Sequence, residues 1–305
     1  MKGKRKKKDV QKFSMNLMDN IIELHHELMG KTYKHGKYQS FRINDPKPRQ
    51  IHKSPVRDRL IHHAVCRQLC PFLDRVFIPD SFSCRVGKGT HKAINRFRSF
   101  AHKANKNNTR TCWILKCDIK KFFKNIDHEV LKKILVENIP DKDILWLLNQ
   151  IIKSFSSKKI GVGLPLGNLT SQLFVNIYMN KFDQFVKHKL KAKYYVRYSD
   201  DFVIISPYKA WLKGIINPIQ IFLSENLKLE LHPGKIFIKT INSGVDFLGW
   251  VNFPDHRILR TTTKRRMLKK LKSNPDIAAI ESYLGLLSHG NSNELKAEIL
   301  KYKSP

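Results

Sequence analysis

Acidic residues are scarce in this chain of 305 residues. The 25 aspartates and glutamates stand against 58 lysines and arginines, a formal charge of +33. A surface this positive repels itself unless a polyanion neutralises it, which points to nucleic acid. Long apolar runs are missing as well: no stretch of roughly eighteen apolar residues occurs, which excludes a membrane-spanning helix. No apolar segment follows the basic N-terminus, so no secretory leader is expected. Cysteine is sparse and odd in number (Cys66, Cys70, Cys84, Cys112, Cys117), with no CxxC spacing. That argues against a disulfide framework or a zinc site, and for reduced thiols in a cytoplasmic setting. Hydrophobic residues still make up 41%. They suffice for one large domain or two to three packed subdomains. Charge alone leaves a coating protein, a nucleic-acid enzyme and a basic membrane-surface protein open.

Along the chain, residues 1–10 read as a disordered basic arm with Lys2, Lys4, Arg5, Lys6, Lys7 and Lys8. Phe13, Leu17, Ile21, Leu24 and Leu28 recur at helical spacing over 11–30. Pro46, Pro48 and Pro55 break any helix over 31–56. A helix is expected from about Asp58. Within it His62, His63, Cys66 and Cys70 read as packing or surface groups. Cys112–Cys117 reads as a buried strand, 128–155 as one or two helices and Gly161–Gly167 as a loop. Leu169–Val186 reads as a long amphipathic helix. Two apolar runs around Asp200 and Asp201 read as a hairpin. A helix over 208–228 and strands near 235–240 and 245–251 follow. This order approaches a ferredoxin-like core. From His256 the chain reads as helical and basic, with 11 lysines and arginines against 4 acids.

In so basic a chain, aspartates at the ends of apolar strands need a reason. Asp118 closes the strand Trp113–Cys117, and Asp200 and Asp201 occupy one tight turn. Adjacent carboxylates repel each other unless a cation binds. Magnesium takes oxygen ligands and is commonly held by one or two carboxylates plus substrate phosphates. If the two strands are neighbours, three carboxylates converge in a geometry suited to two metal ions and phosphoryl transfer. Alone, the doublet is more readily read as a polar turn, since aspartate pairs are common in turns.

The combination is more specific. Tyr198-Ser199-Asp200-Asp201 resembles the YxDD box of reverse transcriptases. Leu115–His128 resembles their motif A, Gly163–Gln172 motif B, Leu229–Lys235 motif D and Phe247–Trp250 motif E. Pro48–Leu60 and Asp80–Thr90 resemble the two fingers motifs. The seven stretches run in the family's order over roughly residues 40–255. The resemblance implies an α+β right-hand polymerase with fingers, a ferredoxin-like palm and a short helical thumb. The expected divisions are an arm at 1–10 and fingers, with part of the palm, at 11–110. The palm then takes 111–255 and the thumb 256–305.

The resemblance also implies roles. Asp118 and Asp200 would ligate two magnesium ions, with manganese as an alternative. Asp201 is the third carboxylate, and the Ile119 carbonyl adds a backbone ligand. Phe123 falls at the family's steric gate against the 2′-hydroxyl of a ribonucleotide. Phe122 and Phe123 both also read as core aromatics, and alternation in an extended segment would turn only one inward. Arg49 leads the candidates for the triphosphate of a deoxynucleotide, followed by Lys53 and Arg85. Lys235 would protonate the leaving pyrophosphate. Gly167 would let backbone approach the templating pair, with Leu166 and Gln172 beside the nucleotide. Asn168, Thr170 and Ser171 would hydrogen-bond the template strand. Tyr198, Ser199, Phe247, Leu248 and Gly249 would meet the primer end.

Two residues depart from the common family pattern. Leu166 stands where many relatives carry glutamine, and Ser199 where methionine is more usual. An aliphatic residue at Leu166, and the thumb stretch Ser282–Asn291, resemble reverse transcriptases of diversity-generating retroelements. Those copy a template RNA with frequent errors at adenines and work with an accessory variability determinant protein. That would make the chain bacterial or phage-encoded, acting on template RNA and RNA/DNA hybrid. Defence-associated, retron and group II intron-like enzymes are the alternatives, as is a catalytically silent RNA-binding protein on the same scaffold.

Overall fold

The computed structural model describes residues 3–44, 48–273 and 276–302. Lys2 and Pro46, named above, lie outside them. In chain order the helices and strands are α1 (Lys8–Met15), α2 (Leu17–Met29), β1 (Gln39–Ile43), β2 (Arg49–Lys53), α3 (Val56–Leu73) and α4 (Thr90–Ala104). Then come β3 (Trp113–Asp118), α5 (Phe122–Asn125), α6 (His128–Asn138), α7 (Lys142–Lys153), α8 (Leu169–Gln184), β4 (Tyr194–Tyr198) and β5 (Asp201–Ser206). The chain continues through α9 (Lys209–Gly214), α10 (Ile216–Leu227), β6 (Phe237–Thr240), β7 (Val245–Phe247), β8 (Trp250–Asn252) and β9 (Arg257–Leu259). It finishes with α11 (Thr261–Ser273), α12 (Ile277–Leu287) and α13 (Asn293–Leu300). No helix among the described residues is long and apolar enough to cross a membrane.

These elements form two compact units. The first comprises Met1–Ile78, Ile119–Phe185 and Ile219–Leu231; the second comprises Pro79–Asp118, Val186–Pro218 and His232–Pro305.

The first unit is mainly helical, with the antiparallel pair β1–β2. Helices α6 and α7 start where Asp127 and Asp141 accept hydrogen bonds from the free N–H groups of the first turn. Helix α8 is buried almost all round: Leu173 to Met179 are all core, and so is Phe182. It is therefore a central helix rather than the amphipathic one its sequence suggested. The basic arm is shorter than expected. Helix α1 begins at Lys8, and Val10 is buried, because Asp9 draws the segment onto Lys53 and Arg59. Phe122 and Phe123 lie in the helical turn α5, not in an extended segment. Lys121, at φ 48°, ends the strand direction and starts that turn. Phe122 enters the core and Phe123 stays half-buried.

The second unit carries a four-stranded antiparallel sheet in the order β4-β5-β3-β6. Counted along the chain this is second, third, first, fourth, the strand order of the ferredoxin-like core expected above. One face, with Ile114, Val196, Val203 and Ile205, packs in one core cluster with Phe97, Phe100, Ala101 and Ala104 of α4 and with Phe247 of β7. A second, three-stranded sheet runs β7-β8-β9. Residues after His256 thus begin with a strand, since β9 extends the β7–β8 hairpin before the helices start. Trp250 and Leu259 anchor the helices α11–α13 through Met267, Leu271, Ile280, Leu287, Leu295 and Ile299.

Candidate active site

Strands β3 and β5 place Asp118 directly opposite Asp201 in antiparallel register. Opposed residues share a face, so two carboxylates point the same way from one end of the sheet. Asp200 completes the turn between β4 and β5. That turn is a two-residue hairpin in which Ser199 takes φ 58°, a left-handed value that costs a non-glycine residue energy. The fully buried Arg197 supports it, donating to the Ser199 carbonyl at 3.1 Å and to Ser81 Oγ at 3.0 Å. Tyr198 Oη accepts from Thr90 Oγ1 at 3.2 Å.

Cations meet these carboxylates. His232 N–H donates to the Asp118 carbonyl at 2.8 Å. The following turn, Pro233–Lys235, brings Lys235 Nζ to 2.9 Å from Asp118 Oδ2. Lys116 Nζ lies 3.3 Å from Asp201 Oδ2. Asp201 Oδ1 is buried without a hydrogen-bond partner. Burial pushes the Asp201 carboxyl up to about 7; Lys116 pulls it down, while Asp118 and Asp200 add to the rise. Among the described residues no three His, Cys, Asp or Glu side chains converge as a metal-binding group. The donor set nevertheless suits a hard divalent cation: carboxylate oxygens, one of them buried and unspent.

Lys116 and Arg197 are the residues sequence reasoning missed. Both interrupt otherwise apolar strands. That interruption was the available signal, since a charged side chain in a buried strand must have partners. Of the other expected residues in this unit, Arg85 donates to the Ser81 carbonyl at 2.9 Å. Phe247 is buried against Phe97. Leu248 and Gly249, both at positive φ, make the two-residue turn from β7 to β8.

The first unit gathers a second set. Leu164 N–H donates to the Phe123 carbonyl at 2.7 Å, and His52 N–H donates to the Leu166 carbonyl at 2.9 Å. Asn168 is buried; its amide donates to the His52 carbonyl at 3.1 Å and its oxygen accepts from Ser54 Oγ at 2.9 Å. Leu166 and Asn168 are thereby tied to β2, and Phe123 to Leu164. Gly167 holds φ +106°, and a Cβ there would come within 2.8 Å of Ile51. Its glycine is required by this contact inside the unit, whatever it meets outside. Thr170 and Ser171 are buried, and the Asn168 side chain is spent on Ser54 and His52. None of the three is placed in this structure as an exposed group for a template strand. Gln172 is half-buried, Arg49 is exposed, and Lys53 is held by Asp9 at 2.6 Å. Ile119, in this unit, pairs with Leu231 in an isolated antiparallel bridge.

A family profile described as "Reverse transcriptase (RNA-dependent DNA polymerase)" matches residues 34–251, more than two thirds of the chain. Protein YkfC of Escherichia coli K12 is 25% identical over 258 residues, covering 72% of this chain and 65% of YkfC. The group II intron-encoded protein LtrA of Lactococcus lactis is 25% identical over 296 residues, covering 75% of this chain and 48% of LtrA. The chain thus spans less than two thirds of the length of these relatives. Among solved structures, apo telomerase from Candida tropicalis superposes with a TM-score of 0.58 at 13% identity. It covers 75% of this chain and 49% of that one. This likeness shows the fold, a right-hand polymerase arrangement of mixed α+β elements.

Proposed function

We propose that this chain, which belongs to the reverse transcriptase (RNA-dependent DNA polymerase) family, makes DNA on an RNA template from deoxynucleoside triphosphates. The observation that carries the reading is the register of Asp118 against Asp201 at the end of the sheet, with Asp200 in the adjoining turn. Asp118 and Asp200 would hold magnesium or manganese, with Asp201 as the third carboxylate and the Ile119 carbonyl as a backbone donor. Two such ions, when bound, supply the positive charge that an in-line phosphoryl transfer needs. Lys235, 2.9 Å from Asp118 Oδ2, would protonate the leaving pyrophosphate. Phe123, half-buried on α5, gates the sugar, and Arg49 is the exposed cation for the triphosphate. In the free protein Lys53 and Arg85 are engaged with Asp9 and the Ser81 carbonyl, which makes them secondary candidates. The test is primer extension on RNA by wild type and Asp200→Asn. Wild type extends the primer and the variant does not; equal activity would reject the reading.

Leu166 supports a finer reading: an error-prone enzyme of the diversity-generating type, working with an accessory protein. Its carbonyl is pinned by His52 while its aliphatic side chain stands where a hydrogen-bonding one is common. Losing a polar contact beside the nascent pair weakens discrimination between correct and wrong geometry. Sequencing the products of Leu166→Gln then shows fewer substitutions at template adenines, and an unchanged spectrum rejects this reading. A group II intron-like role is the second reading, favoured by the similarity to LtrA. An enzyme that copies adenines as faithfully as other bases supports it.

A further inference from the structure

We propose that Lys116 is a positioning residue of the polymerase reaction, a brace that fixes the Asp201 carboxylate to the hairpin carrying Phe247, Leu248 and Gly249. The inference rests on the polymerase reading above and adds to it a residue outside the motif carboxylates.

On β3 the residues Ile114, Lys116 and Asp118 share a face, because side chains alternate along a strand. Opposite them on β5 stand Ile205, Val203 and Asp201. Ile114, Val203 and Ile205 are core, and so is Phe247 beyond them. A lysine in this row is only 12% exposed. Burying an ammonium is costly unless its hydrogen bonds are met, and a methionine would fill the same space without that cost. The stem of Lys116 runs beside the Phe247 ring, its nitrogen 5.9 Å from the ring centre. The ammonium then spans two acceptors: the Asp246 backbone carbonyl at 2.7 Å and Asp201 Oδ2 at 3.3 Å.

The brace continues. The Asp246 carboxylate accepts from Arg260 Nη2, and Arg260 N–H donates to the Gly249 carbonyl at 3.0 Å. Arg260 immediately precedes α11. One ammonium therefore joins the third carboxylate, the hairpin and, through Asp246, the start of the C-terminal helices. With Oδ2 turned to Lys116, Asp201 keeps Oδ1 as its unspent acceptor. A shift of the hairpin is transmitted to that oxygen, and displacing a reacting group by about 1 Å can cost on the order of 10²-fold in rate.

The experiment uses the full chain, with active sites counted by a single-turnover burst on an RNA template–primer. Wild type and Asp118→Asn set the frame: activity in the first and its loss in the second keep the polymerase reading standing. Lys116→Met then lowers the burst rate per active site at least about tenfold and weakens template–primer binding several-fold, with half-saturation by nucleotide within about twofold. Lys116→Arg, whose fork can reach both oxygens, recovers the rate to within about threefold. A general loss of structure would reduce the number of active sites, not the rate at each. Should Lys116→Met fail to fold, Arg260→Gln cuts the brace at its partly exposed far end, and template–primer Kd rises about threefold or more. Wild-type rates in Lys116→Met, failure of arginine to rescue, or an unchanged Kd in Arg260→Gln would overturn the brace alone. An inactive wild type would overturn the polymerase reading and the brace with it.

Discussion

Two aspartates, one in each unit, the first buried and the second half-buried, are held in opposite ways. Asp58 of α3 is 1% exposed, and both its oxygens are engaged. Tyr33 Oη donates to Oδ1 at 2.7 Å and Gly36 N–H donates to Oδ2 at 3.0 Å. Arg57 and His35 each stand at 3.9 Å. Asp201 has a 19% exposed side chain, with one oxygen on Lys116 and the other unpartnered. A buried carboxylate with its acceptors filled holds a fold together; one left part-filled is strained in the free protein and available to a ligand. Stability and activity should therefore separate between the two sites.

The largest expected effects test that separation. Asp201→Asn removes a carboxylate that burial disfavours, so stability holds or rises while primer extension falls at least about 10²-fold. Asp58→Asn turns an amide N–H toward the Tyr33 hydroxyl or the Gly36 N–H, a donor left facing another donor. It costs roughly 2–4 kcal/mol in urea unfolding and leaves the rate per folded molecule unchanged. If Asp201→Asn proved the more destabilising change, the contrast between the two sites would collapse.

Part of this contrast was legible in the sequence. The strands bearing Asp118, Asp200 and Asp201 announce themselves by apolar runs ending in acids, and the ferredoxin-like order follows from their succession. Pairing register is a long-range fact, so the meeting of Asp118 with Asp201 could be expected only conditionally. Lys116 was missed because a lysine in a strand reads as an edge or surface residue until its neighbours are known. Phe122 and Phe123 were read in an extended segment because nothing local signals the left-handed turn at Lys121. Asn168 looked like a template contact because a buried amide and an exposed one have the same sequence.

The surroundings of Asp58 give the next prediction. His35 and His62 stack at 5.2 Å between ring centres, with their Nε2 atoms 3.3 Å apart. Desolvation pushes both below the ordinary histidine value of 6.5, His62 to about 3. A folded pKa below the unfolded one means that the unfolded chain binds more protons between the two values. The stability is therefore complete above about pH 6.5 and is lost as pH falls toward 3. By pH 4.5 His62 alone removes about 3 kcal/mol. Urea midpoints measured from pH 7 to 4.5 show this loss in wild type, and His62→Leu flattens it. A variant with the same slope would show that the acid sensitivity lies elsewhere.

A third aspartate bounds the comparison from the exposed side. Asp9 accepts from Lys53 at 2.6 Å and from Arg59 at 2.9 Å, with its side chain 34% exposed. The Lys53 and then the Arg59 hydrogen bonds hold its carboxyl well below the usual carboxylate range. The folded pKa is the lower one, so this stability is present above about pH 4 and lost below it. Water and salt screen a pair this open, so Asp9→Asn costs about 1 kcal/mol or less. The effect shrinks further in high salt. It also releases Lys53, which the family resemblance offered behind Arg49 as a candidate for the triphosphate. If Lys53 serves that role, nucleotide half-saturation falls in Asp9→Asn while the rate at saturating nucleotide stays put. If half-saturation does not move, Lys53 belongs with Asp58 as a residue whose charge is spent on the fold.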